Sequence, residues 1–207
     1  MDAEQRNREG SKMQKNDKCR VCRHVGEKLF LKGDKCNTPA CPFEKRPYQP
    51  GHLGPKRRPR KLSDYSKQLL EKQKARAIYG IGEKQMANYF AEARKTRQAT
   101  GEELMKLLES RIDNVVYRLG WAESRADARQ TVTHGRIKIN GKKIKSPSII
   151  MRVGDKISLD RASKEIKRET PAWLSVKALE AEIKGIPVVD EALTSIDQQL
   201  IIEYYSR

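Results

Sequence analysis

Four cysteines, Cys19, Cys22, Cys36 and Cys41, are the residues of this chain whose spacing most directly suggests chemistry. They read Cys-x2-Cys, thirteen residues, then Cys-x4-Cys. The first pair can form a tight knuckle that aims two sulfurs at one centre. Between the pairs, Lys28-Leu29-Phe30-Leu31 reads as a strand and Gly33-Asp34 as a turn, so a small hairpin returns the second pair, which Pro39 and Pro42 flank. Four thiolates satisfy tetrahedral zinc and leave no open coordination position, so one structural zinc ion is expected. An iron–sulfur cluster takes the same four ligands and stands as the alternative. Disulfides also compete, but Met1 to Asn16 carries no apolar secretory core, which favours a reducing compartment. Around the cysteines only Val21, Val25, Leu29, Phe30, Leu31 and Phe43 are apolar, too few to fold the segment by burial, so the metal is expected to order it. His24 and His52 read as surface residues.

The charge points to a partner. Net charge is +17, with +10 in residues 1–62 and +6 in residues 111–160, while residues 171–207 sum to −3. Two basic blocks of this size suit a polyanion, because neutralising phosphates releases condensed counterions. No apolar run is long enough to span a membrane, and a cytoplasmic location is expected. Catalytic patterns are missing: there is no phosphate-cradling glycine loop, no Cys/His nucleophile pair and no paired acids in an evident pocket. The chain is therefore expected not to be an enzyme.

The elements that must position these groups are mainly helical with a small β component, an α+β fold. Residues 1–18 are polar and aperiodic and read as a disordered extension. The metal-binding segment spans 19–44. Residues 45–62 follow as an extended basic segment, rich in proline and glycine, whose Arg46, Lys56, Arg57, Arg58, Arg60 and Lys61 can lie along RNA. Ser63 caps a helix that runs to about Tyr79 and stops at Gly80; a second spans about Glu83–Lys95, with Met86, Phe90 and Ala93 inward. Thr100-Gly-Glu-Glu103 is a capping-box pattern for a third. Residues 63–98 plus 171–207 are read as one discontinuous helical domain, with Trp173 to Leu179 as a short helix. Residues 99–170 are read as the RNA-binding domain.

Within that domain the order is helix, tight turn, helix, small sheet. Ile112, Val115, Val116 and Leu119 share a helical face that Gly120 ends; Ser124-Arg-Ala-Asp127 opens the next helix and Gly135 stops it. Ile137 and Ile139 alternate before Asn140-Gly141, a strong hairpin signal, and Val153-Gly154-Asp155 turns the chain into Ile157 and Leu159. With the apolar stripes inward, Arg111, Arg118, Arg125, Arg129, His134, Arg136, Lys142 and Lys143 are expected to face outward; with Asn114, Ser124 and Gln130 they form the expected RNA-binding set. Such a surface reads folded RNA by shape and backbone.

The stretch Leu107-Leu-Glu-Ser-Arg-Ile-Asp-Asn-Val-Val-Tyr-Arg-Leu-Gly120 resembles the signature of the ribosomal small-subunit protein four family. Its continuation, Ser124-Arg-Ala-Asp-Ala-Arg-Gln130 through His134-Gly and Ile139-Asn-Gly141, is similar to the RNA-binding domain named after that family. The likeness extends to Cys19-x2-Cys22, Arg46-Pro-Tyr-Gln-Pro-Gly-His-Leu-Gly54, Arg76-Ala-Ile-Tyr-Gly80 and Ile202-Glu-Tyr-Tyr-Ser-Arg207, nearly the whole chain. The resemblance implies a ribosome-bound constituent of the small subunit that binds the five-prime domain of its RNA, nucleates assembly and contributes to translational accuracy. It implies contacts with neighbouring small-subunit proteins and with messenger RNA where it enters the subunit. The four cysteines match the metal-bearing branch of the family. The extension before Cys19 is longer than the family's usual start. Two other classes stay open at this point: a free-standing RNA-binding regulator, and an RNA-modifying enzyme that carries the same small domain.

Overall fold

Ser63 accepts a hydrogen bond from the Ser66 N–H and opens helix α3, Asp64–Tyr79, and Gly80 closes it at φ 63°, a left-handed conformation that favours glycine. The computed structural model describes residues 17–51, 62–96, 99–160, 170–177, 179–187 and 195–207. Upstream of α3 lie α1, Asp17–Val25, a 3-10 turn, Gly33–Asn37, and the single-turn α2, Pro42–Lys45. Helices α4, Glu83–Ala93, and α5, Thr100–Glu109, follow. Thr100 is the first residue of α5; Ala99 holds the cap position without a side-chain hydrogen bond, so the expected capping box does not form. Residues 1–16 and 52–61 lie outside the described residues, and with them the expected extension and most of the basic segment.

Two cores organise the chain. The first gathers Ala75, Ile78 and Tyr79 of α3, Met86, Phe90 and Ala93 of α4, Leu104, Met105 and Leu108 of α5, and Ile201 of the C-terminal helix α8, Gln198–Tyr205. The Asp197 carboxylate accepts the Gln199 and Leu200 N–H groups and starts α8, which packs chiefly on α3. The C-terminal helix thus returns onto α3.

The second core starts with Ile112, Val115 and Val116 of α6, Ile112–Arg118, and Ala128 and Val132 of α7, Arg125–Thr133. These close over an antiparallel sheet of five strands in the order β2-β1-β3-β5-β4. The strands are β1, Ile137–Ile139, β2, Lys142–Ile144, β3, Lys156–Leu159, β4, Leu174–Lys177, and β5, Glu180–Ile183. Asn140 and Gly141 both have positive φ, 48° and 80°, as the tight β1–β2 turn requires.

Three expectations change. Trp173 to Leu179 does not form a helix. Leu174 faces Ile183 and Val176 faces Ala181 across β4–β5, a period of two, and β5 pairs with the otherwise open edge of β3. Residues 173–183 therefore belong to the second core, and only the stretch from Ile196 rejoins the first. Helix α5 moves the other way: its apolar face lies in the first core, so the boundary between cores falls near Ser110 rather than at residue 99. Finally, Lys28 to Leu31 is not a strand. Leu29 and Leu31 are buried while Phe30 is exposed, the alternation that suggested one, but Gly26, Phe30 and Gly33 all take positive φ and no neighbouring strand pairs with them.

Trp173 is 8 % exposed in the second core. Trp173→Ala is expected to lower unfolding stability by about 3 kcal/mol, read from the urea midpoint. An unchanged midpoint would show that this side chain contributes nothing to the core. Among the described residues no helix is long and apolar enough to cross a membrane.

Candidate nucleic-acid interface

Where the two cores meet, the apolar interior gives way to a chain of buried polar groups. Glu109, the last residue of α5, is 4 % exposed. Its carboxylate accepts from Arg118 Nε at 3.0 Å and Nη2 at 2.8 Å, from Asn114 Nδ2 at 2.7 Å and from Tyr79 Oη at 2.6 Å. Asn114 Oδ1 in turn accepts from Arg125 Nε at 2.8 Å. The Arg125 guanidinium lies 5.1 Å from the Tyr79 ring centre and 4.5 Å from that of Tyr117. Beside this chain, Arg111 is fully buried, forked onto Asp113 at 3.0 and 2.7 Å, and donates to Tyr89 Oη at 2.7 Å.

Burial pushes the Glu109 carboxyl up, but the Arg118 hydrogen bonds and charge, with Arg125 behind them, bring it below its ordinary value. Burial opposes the charges of Arg111 and Arg118, and Asp113 and Glu109 overcome that and raise both. Burial, with the Glu109 charge, pushes the Tyr79 hydroxyl well above its ordinary range, so it stays a donor.

The expected RNA-binding set is thereby divided. Arg111 and Asn114 are buried, and Arg118 is closed onto Glu109. The apolar stripe of α6 was read correctly, but the helix is covered on its polar side too, by α5 and the tyrosines of α3 and α4. Ser124 is buried and caps α7 by accepting the Asp127 N–H at 3.2 Å. Arg125 is held by Asn114 and the two rings, so an alanine there would disturb the junction as well as any RNA contact. Arg129 is half exposed and reaches the Gly80 carbonyl at 3.2 Å and Asp113 at 3.6 Å.

What faces outward is Gln130 and His134 on α7, Arg136 before β1, and Lys142 and Lys143 on the edge strand β2. Lys143 also sits 3.5 Å from Asp160. Arg136 and Lys142 have no ion-pair partner among the described residues. Lys145, exposed beside them, was missed by the sequence reading. At the other end of the chain Arg46 is exposed, and Arg23 anchors the start of the basic segment by donating from Nε to the Tyr48 carbonyl at 3.0 Å. Lys56, Arg57, Arg58, Arg60 and Lys61 lie outside the described residues. The junction groups Glu109, Tyr79, Tyr89 and Tyr117 were also missed. Tyr79 and Glu109 are 30 residues apart, a pairing that no local spacing reveals.

The four cysteines of this segment are free thiols, Cys22, Cys36 and Cys41 buried. Cys19 and Cys22 lie on helix α1 rather than on a hairpin knuckle. The Lys32 N–H reaches Cys36 Sγ at 3.4 Å. Burial first, then the neighbouring cysteines, pushes the Cys22 and Cys36 thiols up. Such a cluster of sulfurs suits a thiophilic cation by its donor chemistry. Among the described residues, however, no group of three or more His, Cys, Asp or Glu side chains is arranged to hold a metal ion.

Comparison with known proteins agrees with this architecture. The model of the ribosomal protein S4/S9 N-terminal domain matches residues 13–109, and that of the S4 domain matches residues 110–157. The junction between the two falls where the two cores meet. The small ribosomal subunit protein uS4 of Dictyoglomus turgidum is 47% identical over 200 residues, covering 91% of this chain and 96% of that protein. Those of Thermodesulfovibrio yellowstonii and Thermus thermophilus are 46% and 45% identical over 204 and 202 residues, each with the same coverage. This family consists of structural ribosomal proteins rather than enzymes, and the chain belongs to it: it is a member of the ribosomal protein S4 (uS4) family.

Proposed function

We propose that this protein is a structural constituent of the small ribosomal subunit that binds the five-prime domain of the subunit's RNA. In this reading it nucleates assembly and contributes to translational accuracy. The observation that carries it is the group of exposed basic residues on the second module. Arg136, Lys142 and Lys145 are exposed beside one another on the second module, while the acids and arginines of the junction are consumed internally. The buried ion pairs of the junction tie the two cores together, so the second module presents its basic face from a preformed scaffold. Neighbouring small-subunit proteins are the further expected protein partners. Messenger RNA where it enters the subunit is the further expected partner.

The test is a salt titration of RNA binding. Replacing Arg136, Lys142 and Lys143 together with alanine should reduce the slope of log affinity against log salt by about two to three counterions, without a change in unfolding stability. An unchanged slope would remove this face from the interface. Sedimentation of a cell extract gives the second check. A ribosomal constituent travels with small subunits, whereas a free-standing regulator stays at the top of the gradient.

The same reading includes one structural zinc ion held by Cys19, Cys22, Cys36 and Cys41, with an iron–sulfur cluster as the alternative. Its support is the gathering of four free thiols in one segment, three of them buried, with a backbone N–H directed at Cys36. Binding would draw the sulfurs inward, and so would couple metal uptake to the order of the segment.

A further inference from the structure

Gly33 brings the cysteine segment against the second module, backbone to backbone. Gly33 has φ 63°, and a Cβ built there would stand 2.6 Å from the Glu123 carbonyl oxygen, 3.0 Å from its carbon and 3.2 Å from Glu123 Cβ. A backbone carbonyl cannot rotate aside as a flexible side chain can, so only glycine lets the two segments meet. Glu123 is itself tied into the first turn of α7. Its N–H donates to Asp127 Oδ2 at 3.1 Å, and the next residue, Ser124, caps that helix. The Gly33 turn is fixed from its own side by the Lys32 N–H on Cys36 Sγ and the Lys18 ammonium on the Leu31 carbonyl, both at 3.4 Å.

The head of α7 is thus held by three parts of the chain. Asn114 of α6 holds Arg125; Tyr79 and Gly80 at the end of α3 hold Arg125 and Arg129; the cysteine segment presses on Glu123. Helix α7 leads through Gly135 into β1, so its direction decides where Gln130, His134 and Arg136 point. We infer that Gly33 is a positioning residue for RNA binding: through its contact with Glu123 the cysteine segment sets the placement of α7 and thereby the affinity of the second module's basic face. This rests on the RNA-binding reading above and adds to it a dependence of one contact region on the other.

Gly26 provides an internal control. It also has positive φ, 85°, but among the described residues no atom lies within 4 Å of its would-be Cβ. Asparagine tolerates left-handed φ better than other side chains, so Gly33→Asn and Gly26→Asn impose similar backbone strain and differ in the contact. In the full chain, Gly33→Asn should speed hydrogen exchange at the Asp127 and Ala128 amides by about tenfold, and Gly26→Asn should leave it near the unsubstituted rate. The affinity for a transcript of the small-subunit RNA five-prime domain should fall about three- to tenfold in Gly33→Asn only. Equal exchange in the two variants overturns the inference. Faster exchange with unchanged affinity overturns it as well, provided the Arg136, Lys142 and Lys143 variant weakens binding. If that variant also binds unchanged, the RNA reading itself has failed. Should Gly33→Asn not fold, the unsubstituted chain decides: under low urea the amides of 33–37 and 124–128 should open together, and independent opening overturns the inference.

Discussion

Glu109→Ala is expected to cost about 3–5 kcal/mol of unfolding stability, the usual consequence of removing one partner from a buried ion pair. The carboxylate accepts four hydrogen bonds, from Arg118 twice, Asn114 and Tyr79. Alanine leaves the Arg118 charge without its partner and the Tyr79 hydroxyl unsatisfied, while Asn114 Nδ2 keeps only its bond to the residue-109 carbonyl, in a place water does not readily reach. Glu109→Gln keeps the shape but not the charge and should fall between the two. The acid dependence follows from the lowered folded-state value of this carboxyl. Its contribution is fully present above the ordinary glutamate value and is lost as pH falls through the lower folded value. Urea midpoints measured from neutral pH down through the carboxylate range should therefore drop more steeply in the unsubstituted protein than in Glu109→Gln. A loss below about 1 kcal/mol in Glu109→Ala would reduce the network to a surface-like ion pair.

Removal of the proposed zinc ion is expected to disorder the segment around α1, the 3-10 turn and α2. The side chains of this segment buried in the first core are Cys22, Leu29 and Leu31, with Val21, Val25 and Phe43 partly covered. Set against that small area, a structural zinc site supplies roughly 10–16 kcal/mol of apparent binding free energy. A strong chelator, or Cys36→Ser, should abolish slow amide exchange in α1 and weaken RNA binding. Zinc should restore the chelated protein and magnesium should not, because thiolates favour the softer ion. Metal analysis with an absorption spectrum separates zinc from an iron–sulfur cluster. If verified metal-free protein kept its circular dichroism and its slow α1 exchange, the segment would be held by packing and by the Lys74 ammonium, which pairs with Glu27 at 2.7 Å.

Much of the local structure was legible because its determinants are local. Ser63 and Ser124 cap the helices they were read to cap, and Gly80, Gly120 and Gly135 turn the chain at positive φ where the helical stripes end. Asn140-Gly141 forms the β1–β2 turn for the same reason: two adjacent left-handed residues suit these side chains and few others. Leu29 and Leu31 show where such reading stops. Alternation reports which side chains are covered, not whether another strand supplies the hydrogen bonds.

By itself, then, the sequence determined the family, the cysteine set, the two basic blocks and most helix ends. Each is written in residue types at short spacing or in total charge. Only the tertiary structure decided which arginines reach solvent. Arg111 and Arg136 look alike in the chain, both basic residues beside an apolar stripe. One is buried in a fork on Asp113 and the other is exposed, because Tyr89 arrives from the other core to take the remaining guanidinium hydrogen bond and cover the first. The Arg111–Asp113 pair is local, but its burial needs Tyr89, 22 residues away, and that convergence exists only once the two cores have packed.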